Sequence, residues 1–354
     1  MAVPYLIGAP GGGKTAIIRK IFSERGYNIL EVHFAFIPIE ELSGIPRFSE
    51  VVINGNKVAG TEWTFPEIIL KAHELSKGNK KVLIFMDDFH LCSPTHMSYG
   101  YQLFTDKRIR NYSLPNKSAI ILAGNATSKE GAKMIHSAIS NRLAFYNVIS
   151  DYTYWKKNYA IPNEVNPSII TFLDKETNRS RFHEEPKVNE PWASPRSWDR
   201  LSRILNIMEQ KTGNGLNIDD VYYLASSHIG KDAGSEFSSY YSIYKKLNIS
   251  DVFEGKASID VSNVNRYIYG MAATNEYVNR AIKSKNAKNI TNIYVKITSE
   301  IYSYEKEVAV AMLKHLVDLS ESLNNKKAKD LFIEVRSAMP DDINKAISKM
   351  ISYI

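Results

Sequence analysis

The sequence predicts an α/β chain: a five-stranded parallel sheet flanked by helices, followed by an all-α region. Three observations predict it. Five short apolar runs, at 3–7, 29–36, 82–86, 119–123 and 144–148, have the composition of strands; most read as buried on both faces. Helical patterns separate these runs, as crossover connections between parallel strands require. After about residue 150 the strand runs stop and helical spacing takes over.

The first strand leads into Gly8-Ala9-Pro10-Gly11-Gly12-Gly13-Lys14-Thr15. This fits G-x-x-x-x-G-K-[ST], the phosphate-binding loop. Glycines let backbone N–H groups curl around an anion, and the helix that opens at Lys14 adds its dipole. Lys14 would reach the β- and γ-phosphates and Thr15 would hold Mg²⁺. The nucleotide contacts expected here run from Gly8 through Ala16. A glycine-rich surface turn would explain neither the Lys-Thr pair nor the strand before it.

The chain has 354 residues, of which 44% are hydrophobic, enough for about two domains. Cys92 is the single cysteine, so no internal disulfide forms and a reducing compartment fits best. No apolar run approaches the ~18 residues of a membrane span. Met1 to Ile7 is short and lacks the basic residues of a secretory signal, so a cytoplasmic location is expected. The net charge of +7 permits nucleic-acid contact, but it is mild over this length. The eight histidines are scattered, which offers no zinc site.

Gly26 closes the first helix as a C′ glycine. Between the second strand and the next helix lies a long connection, Glu40 to Val58, with Asn54-Gly55 between apolar runs. That dipeptide signals a hairpin, placed at about 42–63. It reads as a functional insertion or as a mobile decoration. Pro66 opens a helix over 67–76 and Ser93-Pro94 one through Phe104, while 107–114 is a basic, turn-like excursion.

The third apolar run ends in Asp87-Asp88. A strand tip puts both acids at the carboxyl edge of the sheet, where ligands of open α/β sheets bind. Asp87 would hold Mg²⁺, directly or through water, and Asp88 would orient the attacking water. Alone, such a pair is more often a turn or a helix cap; downstream of a phosphate loop the functional reading is favoured. The fourth strand ends in Gly124-Asn125. The Asn125 amide can sit between the γ-phosphate and the lytic water, or be a turn residue. A helix is expected at 135–140, before Asn141-Arg142.

In the second half, 179–195 reads as a polar loop. Trp198, Leu201, Ile204, Leu205 and Met208 then form one apolar helix face. Arg196 sits in the first turn of that helix, a poor place for a cation unless an anion neutralises it; a surface arginine is the alternative. Helices are expected at 221–228, 237–247, 261–283, 290–304, 308–323, 328–339 and 342–354. The 21 tyrosines read as core more than as a stacking platform.

The ordered set Gly8–Thr15, Asp87-Asp88, Asn125, Arg142, Pro195-Arg196 resembles that of AAA+ P-loop NTPases. Within that superfamily the chain is similar to the MoxR-like, dynein-related branch, as found in phages and prophages. Glu41-Leu42-Ser43-Gly44-Ile45-Pro46, Trp63, Pro66, Ala123-Gly124-Asn125, Ser140-Asn141-Arg142 and Ser194-Pro195-Arg196-Ser197-Trp198 carry the resemblance. So do Trp155, Pro167, Phe172-Leu173, His228-Ile229-Gly230 and Phe237. It runs to about residue 250.

The resemblance implies ATP and Mg²⁺ as ligands, and domains at 1–150 (nucleotide-binding), 151–250 (α-helical lid) and 251–354 (helical extension). It implies a homo-oligomeric ring, usually a hexamer. Arg142 would then act in trans as an arginine finger, and Arg196 would contact phosphates from its own lid. The hairpin would face a central pore or a partner. Two departures stand out. The second acid is Asp88 where the family usually has Glu, which sets the carboxylate back by roughly one C–C step and makes slow hydrolysis an expectation. The stretch before the loop is short, leaving base selectivity to the 152–159 region or the lid.

Three functions follow. The first is a ring-forming ATPase that remodels a partner protein, as MoxR-like proteins do, often with a von Willebrand A-type partner. The second is a nucleic-acid motor or loader, which the basic excursion Lys107-Arg108-Ile109-Arg110 would serve. The third is a slow-hydrolysing, nucleotide-gated scaffold. The first is favoured and no membrane role is expected; if phage-encoded, the protein would act in the bacterial host cytoplasm.

Overall fold

A computed structural model describes residues 2–125, 135, 137–212, 216–323 and 325–352. The chain divides into two compact units, Met1–Ser150 and Asp151–Ile354.

In the first unit, β1 (Val3–Gly8), β2 (Tyr27–Val32), β5 (Lys81–Met86), β8 (Ser118–Asn125) and β9 (Leu143–Val148) form one sheet in the order β2-β5-β8-β1-β9. All four pairings are parallel. The expected five-stranded parallel sheet is therefore present. In β5, Val82, Ile84 and Met86 join one apolar cluster and Leu83 and Phe85 another. Alternate side chains thus enter opposite faces, and both faces are covered. On one side α1 (Lys14–Glu24) contributes Ile18. On the other, α3 (Glu67–Leu75) and α4 (Pro94–Asp106) contribute Ile68, Ile69, Ala72, Leu103 and Phe104. A strand run with no polar break is what burial on both sides demands.

The second strand stops earlier than its apolar run. Pairing ends at Val32 opposite Met86, and the chain turns through 34–36 as a 3₁₀ segment. The last bond to its neighbour runs from the Asp87 N–H to the Val32 carbonyl at 3.0 Å; after it Phe34 is buried and Phe36 exposed.

The Asn54-Gly55 hairpin is present. β3 (Pro46–Ile53) pairs antiparallel with β4 (Asn56–Trp63). Asn54 and Gly55 both have positive φ, 52° and 83°, as a two-residue turn of the primed type needs. The short α2 (Ile39–Ser43) precedes it. The basic excursion folds into a smaller hairpin, β6 (Arg108–Ile109) with β7 (Tyr112–Ser113). It grips the base of the larger one. The Arg110 guanidinium lies 3.4 Å above the Trp63 ring, and Tyr112 stacks 4.0 Å from Phe65. The large hairpin is fixed at its base, and its apolar residues Phe48, Val52 and Ile53 are exposed, Phe48 to 95%.

The helix expected at 135–140 is described as α5 (Ser137–Ser140); position 136 lies outside the described residues.

The second unit is entirely helical among its described residues: α6 (Tyr152–Trp155) continued by a π turn at 156–160, α7 (Pro167–Asp174), α8 (Pro195–Thr212), α9 (Ile218–Ile229), α10 (Lys231–Lys246), α11 (Ile249–Phe253), α12 (Arg266–Lys283), α13 (Lys288–Tyr304), α14 (Lys306–Ser322), α15 (Lys326–Ala338) and α16 (Asp341–Ser352). The polar stretch read as loop carries a 3₁₀ segment at 176–182 and is irregular from there to α8. Helix α12 begins five residues later than its apolar pattern, at Arg266, where Asn265 caps it by accepting from Ile268 N–H. Trp198 is fully buried against Phe172 and Phe237. Tyr240 and Tyr294 are buried with their hydroxyls on Thr171 and Thr274, so these tyrosines are core, and each polar tip is satisfied. One apolar core runs from Tyr152 to Met339, passing through Ile249, Val252 and Phe253 without a break.

Candidate nucleotide site

Because every strand of the sheet is parallel, the tips of β1, β5 and β8 lie at one edge. Gly8 stands in register with Asn125 across the β1–β8 pair. A Cβ on Gly8 would collide with the Val148 carbonyl of β9, so only glycine lets the loop leave the sheet there. The loop turns at Ala9, whose carbonyl accepts from Gly12 N–H at 3.3 Å. Gly13, at φ 86°, then caps α1 in the left-handed region, where a side chain is strained. No side chain caps the first turn of α1 and no acidic residue occupies it. The amides of Lys14, Thr15 and Ala16 therefore face outward from a helix N-terminus beneath a glycine loop, the arrangement that binds phosphate. Pro10 and Gly11 complete the loop, Gly11 with positive φ.

Lys14 is buried, 8% exposed. Its ammonium donates to the carbonyls of Gly8 and Ala9 at 2.9 and 3.0 Å and to Asn125 Oδ1 at 3.1 Å. Thr15 Oγ1 donates to Asp87 Oδ2 at 2.7 Å. Two long-range bonds thus join the loop to the tips of β8 and β5, bringing together four of the residues singled out in the sequence. Thr15 and Asp87 put a hydroxyl and a carboxylate oxygen side by side. Hard oxygen donors in small number suit Mg²⁺, which fills its remaining positions from water and phosphate. Among the described residues, no group of three or more His, Cys, Asp or Glu side chains could hold a metal.

Asp88 takes a left-handed backbone, φ 54° and ψ 33°, uncommon for a residue with a side chain. Its N–H donates to Asp87 Oδ1 at 3.0 Å, and its carboxylate is partly exposed, 4.0 Å from His33 Nδ1. The turn aims the two acids in different directions, Asp87 at Thr15 and Asp88 toward the end of β2. Beneath them, burial and the nearby Cys92 and Asp88 push the Tyr5 phenol up to about 12, so Tyr5 stays neutral.

Two residues at this edge carried no sequence signal. His33 follows β2 directly. His90 follows Asp88 by two positions and is buried, accepting from the Asn125 N–H through Nδ1 at 3.3 Å. The bond requires the Nδ1 lone pair and ties the turn after β5 to the tip of β8. Their places just beyond strand tips were the available clue.

Arg142 is not among the side chains bonded to the loop. Its guanidinium is held by Tyr101, Thr105 and Ala138. Arg196 belongs to the second unit, exposed in the first turn of α8. The start of that helix is fixed by reciprocal bonds: Ser194 N–H donates to Ser197 Oγ at 2.8 Å and Ser197 N–H to Ser194 Oγ at 3.2 Å.

No family model and no curated protein matches the chain. Among solved structures it is similar to the RuvB Holliday junction branch migration motor of Thermotoga maritima, at 15% identity and TM-score 0.33, covering 72% of this chain and 67% of that one. It is also similar to Brucella abortus NtrX in complex with ATP, at 12% identity and TM-score 0.36, covering 95% of this chain and 64% of that one. The chain thus spans less than two thirds of NtrX. With this sheet, a phosphate loop after β1 and an all-helical second unit, the chain has a P-loop α/β architecture followed by helices. The likeness reaches no further than architecture.

Proposed function

We propose that this chain binds ATP with Mg²⁺ and hydrolyses it, as a ring-forming MoxR-like ATPase, a hexamer, that remodels a partner protein. The observation that carries the nucleotide part is the pair of bonds Lys14–Asn125 and Thr15–Asp87 at one sheet edge. Lys14 exchanges its contacts with the loop carbonyls for phosphate oxygens, since a hydrogen bond to an anion is about twice as strong as one to a neutral acceptor. Thr15 and Asp87 hold the Mg²⁺, whose charge neutralises that building on the phosphates. Asp88 orients the lytic water from its position beside His33, and Asn125 faces the γ-phosphate. Arg142 of a neighbouring copy acts on the γ-phosphate, while Arg196 reads the nucleotide from its own subunit. The MoxR-like placement itself rests on the sequence motifs.

The partner reading is supported by the hairpin, which presents exposed Phe48, Val52 and Ile53 on an anchored base. Apolar side chains displayed in this way suit a protein surface, such as a von Willebrand A-type domain. The basic residues that would serve a nucleic acid each have a partner within the chain, though Lys107 and Arg108 lie at the surface. Lys107 donates to the Ser118 carbonyl, Arg108 pairs with Asp106, and Arg110 stacks on Trp63 and donates to the Ser43 carbonyl.

Phosphate release with and without DNA tests the proposal. We expect Mg²⁺-dependent release that Lys14→Ala abolishes and that DNA leaves unchanged. Release unaffected by Lys14→Ala would refute the site assignment, and marked stimulation by DNA the protein-remodelling reading.

A further inference from the structure

Arg142 stands between α5 and β9, and its guanidinium is held from several sides at once. Its Cζ lies 4.1 Å above the centre of the Tyr101 ring. Nη2 donates to the Tyr101 hydroxyl, Nε to Thr105 Oγ1 at 2.9 Å, and Nη1 to the Ala138 carbonyl at 2.7 Å. Tyr101 and Thr105 are four residues apart on α4 and so share one helix face. The Thr105 hydroxyl donates its own proton to the Tyr101 carbonyl at 2.9 Å. That fixes its lone pairs toward Arg142, so the acceptor is oriented before the arginine arrives.

A long cationic side chain of this kind has many rotamers when free. Here each of its three nitrogens has a partner and its flat face has a ring. A guanidinium has five N–H donors. With these bonds made, one N–H remains on each terminal nitrogen. None of the partners named here carries a charge, so they orient the cation without neutralising it.

We propose that Tyr101 and Thr105 are positioning residues for Arg142, presenting its guanidinium in one fixed orientation to the γ-phosphate of a nucleotide bound by a second copy of this chain. The inference rests on the reading of Arg142 as the residue that acts across the subunit boundary. It adds that the orientation is built into α4 of the donor subunit before assembly.

The experiment measures phosphate release and ATP affinity for Thr105→Val, Tyr101→Phe, Tyr101→Leu and Arg142→Ala in the full chain. A misplacement of about 1 Å can cost ~100-fold in rate. We therefore expect kcat to fall about 10- to 100-fold in Tyr101→Leu and several-fold in Thr105→Val and Tyr101→Phe, with KM and ATP affinity unchanged. A second readout mixes Tyr101→Leu with Lys14→Ala subunits, whose own nucleotide site is disabled for hydrolysis but which carry an intact Tyr101, Thr105 and Arg142. The mixture should hydrolyse faster than the sum of its components, because each Lys14→Ala subunit serves a loaded neighbour. Damage confined to the mutated subunit would not be rescued in this way.

Two results overturn the inference: near-wild-type rates in Thr105→Val and Tyr101→Leu while Arg142→Ala is inactive, or a Tyr101→Leu defect that Lys14→Ala subunits do not rescue. Wild-type hydrolysis by Arg142→Ala would instead remove the reading of Arg142 on which the inference rests. The Arg142→Ala measurement alone distinguishes that failure from the other two.

Discussion

Each unit of the molecule buries a lysine, and the two are held in opposite ways. Lys14 in the first unit donates to two carbonyls and an amide oxygen, all neutral. Lys156 in the second unit, 2% exposed, donates to the carboxylates of Asp174 at 2.8 Å and Asp318 at 2.7 Å. His315 and Tyr152 close around Asp174. His315 Nδ1 stands 3.0 Å from its Oδ2, though poorly aligned for a hydrogen bond, and the Tyr152 hydroxyl donates to Oδ1 at 2.9 Å. Burial alone would raise the Asp174 carboxyl, but the Lys156 charge holds it well below the usual carboxylate range. A cation held by dipoles can be claimed by an incoming anion, whereas one held by carboxylates is already matched. On the proposed reading the first cluster serves a ligand and the second the fold.

The largest expected effect comes from removing each lysine. Lys156→Ala leaves Asp174 inside the helical unit without its lysine, while Asp318 keeps Lys157 at 3.0 Å, and breaking such a buried pair costs about 3–5 kcal/mol. A sharp fall in the thermal midpoint should follow. Lys14→Ala removes a cation whose named partners are neutral, so the midpoint should fall less than in Lys156→Ala. Nucleotide affinity should instead fall at least ~30-fold, the low end for truncating one side of a buried charged contact. Titration with a fluorescent ATP analogue, alongside melting curves for both variants, checks the pair. Equal melting losses in the two would break the comparison.

A smaller effect sharpens it through pH. Burial, then the Lys156 charge, lowers the His315 pKa below its ordinary 6.5 despite the Asp174 contact. A histidine kept neutral in the folded state stabilises fully above 6.5. Below that value the unfolded chain takes up the proton and the folded chain does not, so stability falls as pH falls. The slope is at most about 1.4 kcal/mol for each pH unit. Asp174, with its folded pKa depressed, keeps its contribution until the pH drops below the ordinary carboxylate value of 3.8. Melting against pH should therefore show a decline beginning near 6.5, flattened in His315→Gln. A flat profile in the parent chain would refute this account.

The contrast also explains what could be read in the sequence. The strands that carry the candidate site were legible because central strands buried on both faces leave unbroken apolar runs. The loop, Asp87 and Asn125 were legible as strand-tip residues on those runs. The hairpin was legible because Asn54-Gly55 supplies two positive-φ positions. His33 and His90 sit just beyond strand ends, where no periodicity points to them. Two of the partners of Arg142, Thr105 and Tyr101, lie 37 and 41 positions away, a distance that no local pattern spans. The Lys156 cluster was illegible for the same reason: Asp318 is 162 positions from Lys156. Nor does any local feature near 250 reveal that one core continues through it; Tyr267 donates to the Thr171 carbonyl from 96 positions away.

One added methylene tests the difference most finely. In Asp174→Glu the longer side chain must fit between Lys156, Tyr152 and His315 inside a packed unit, and overpacking of this kind costs about 1–3 kcal/mol. Asp88→Glu lengthens a partly exposed carboxylate beside His33, so the thermal midpoint should stay within error. Its effect should fall on turnover. If the short acid holds the lytic water too far from the γ-phosphate, Asp88→Glu raises kcat several-fold with ATP affinity unchanged, since placement on the scale of an ångström governs such steps. A fall in kcat would mean that the site is fitted to Asp88 through its left-handed backbone. In that case His33→Ala should lower turnover in the parent more than in Asp88→Glu, because the longer acid would already have lost the alignment that His33 supports.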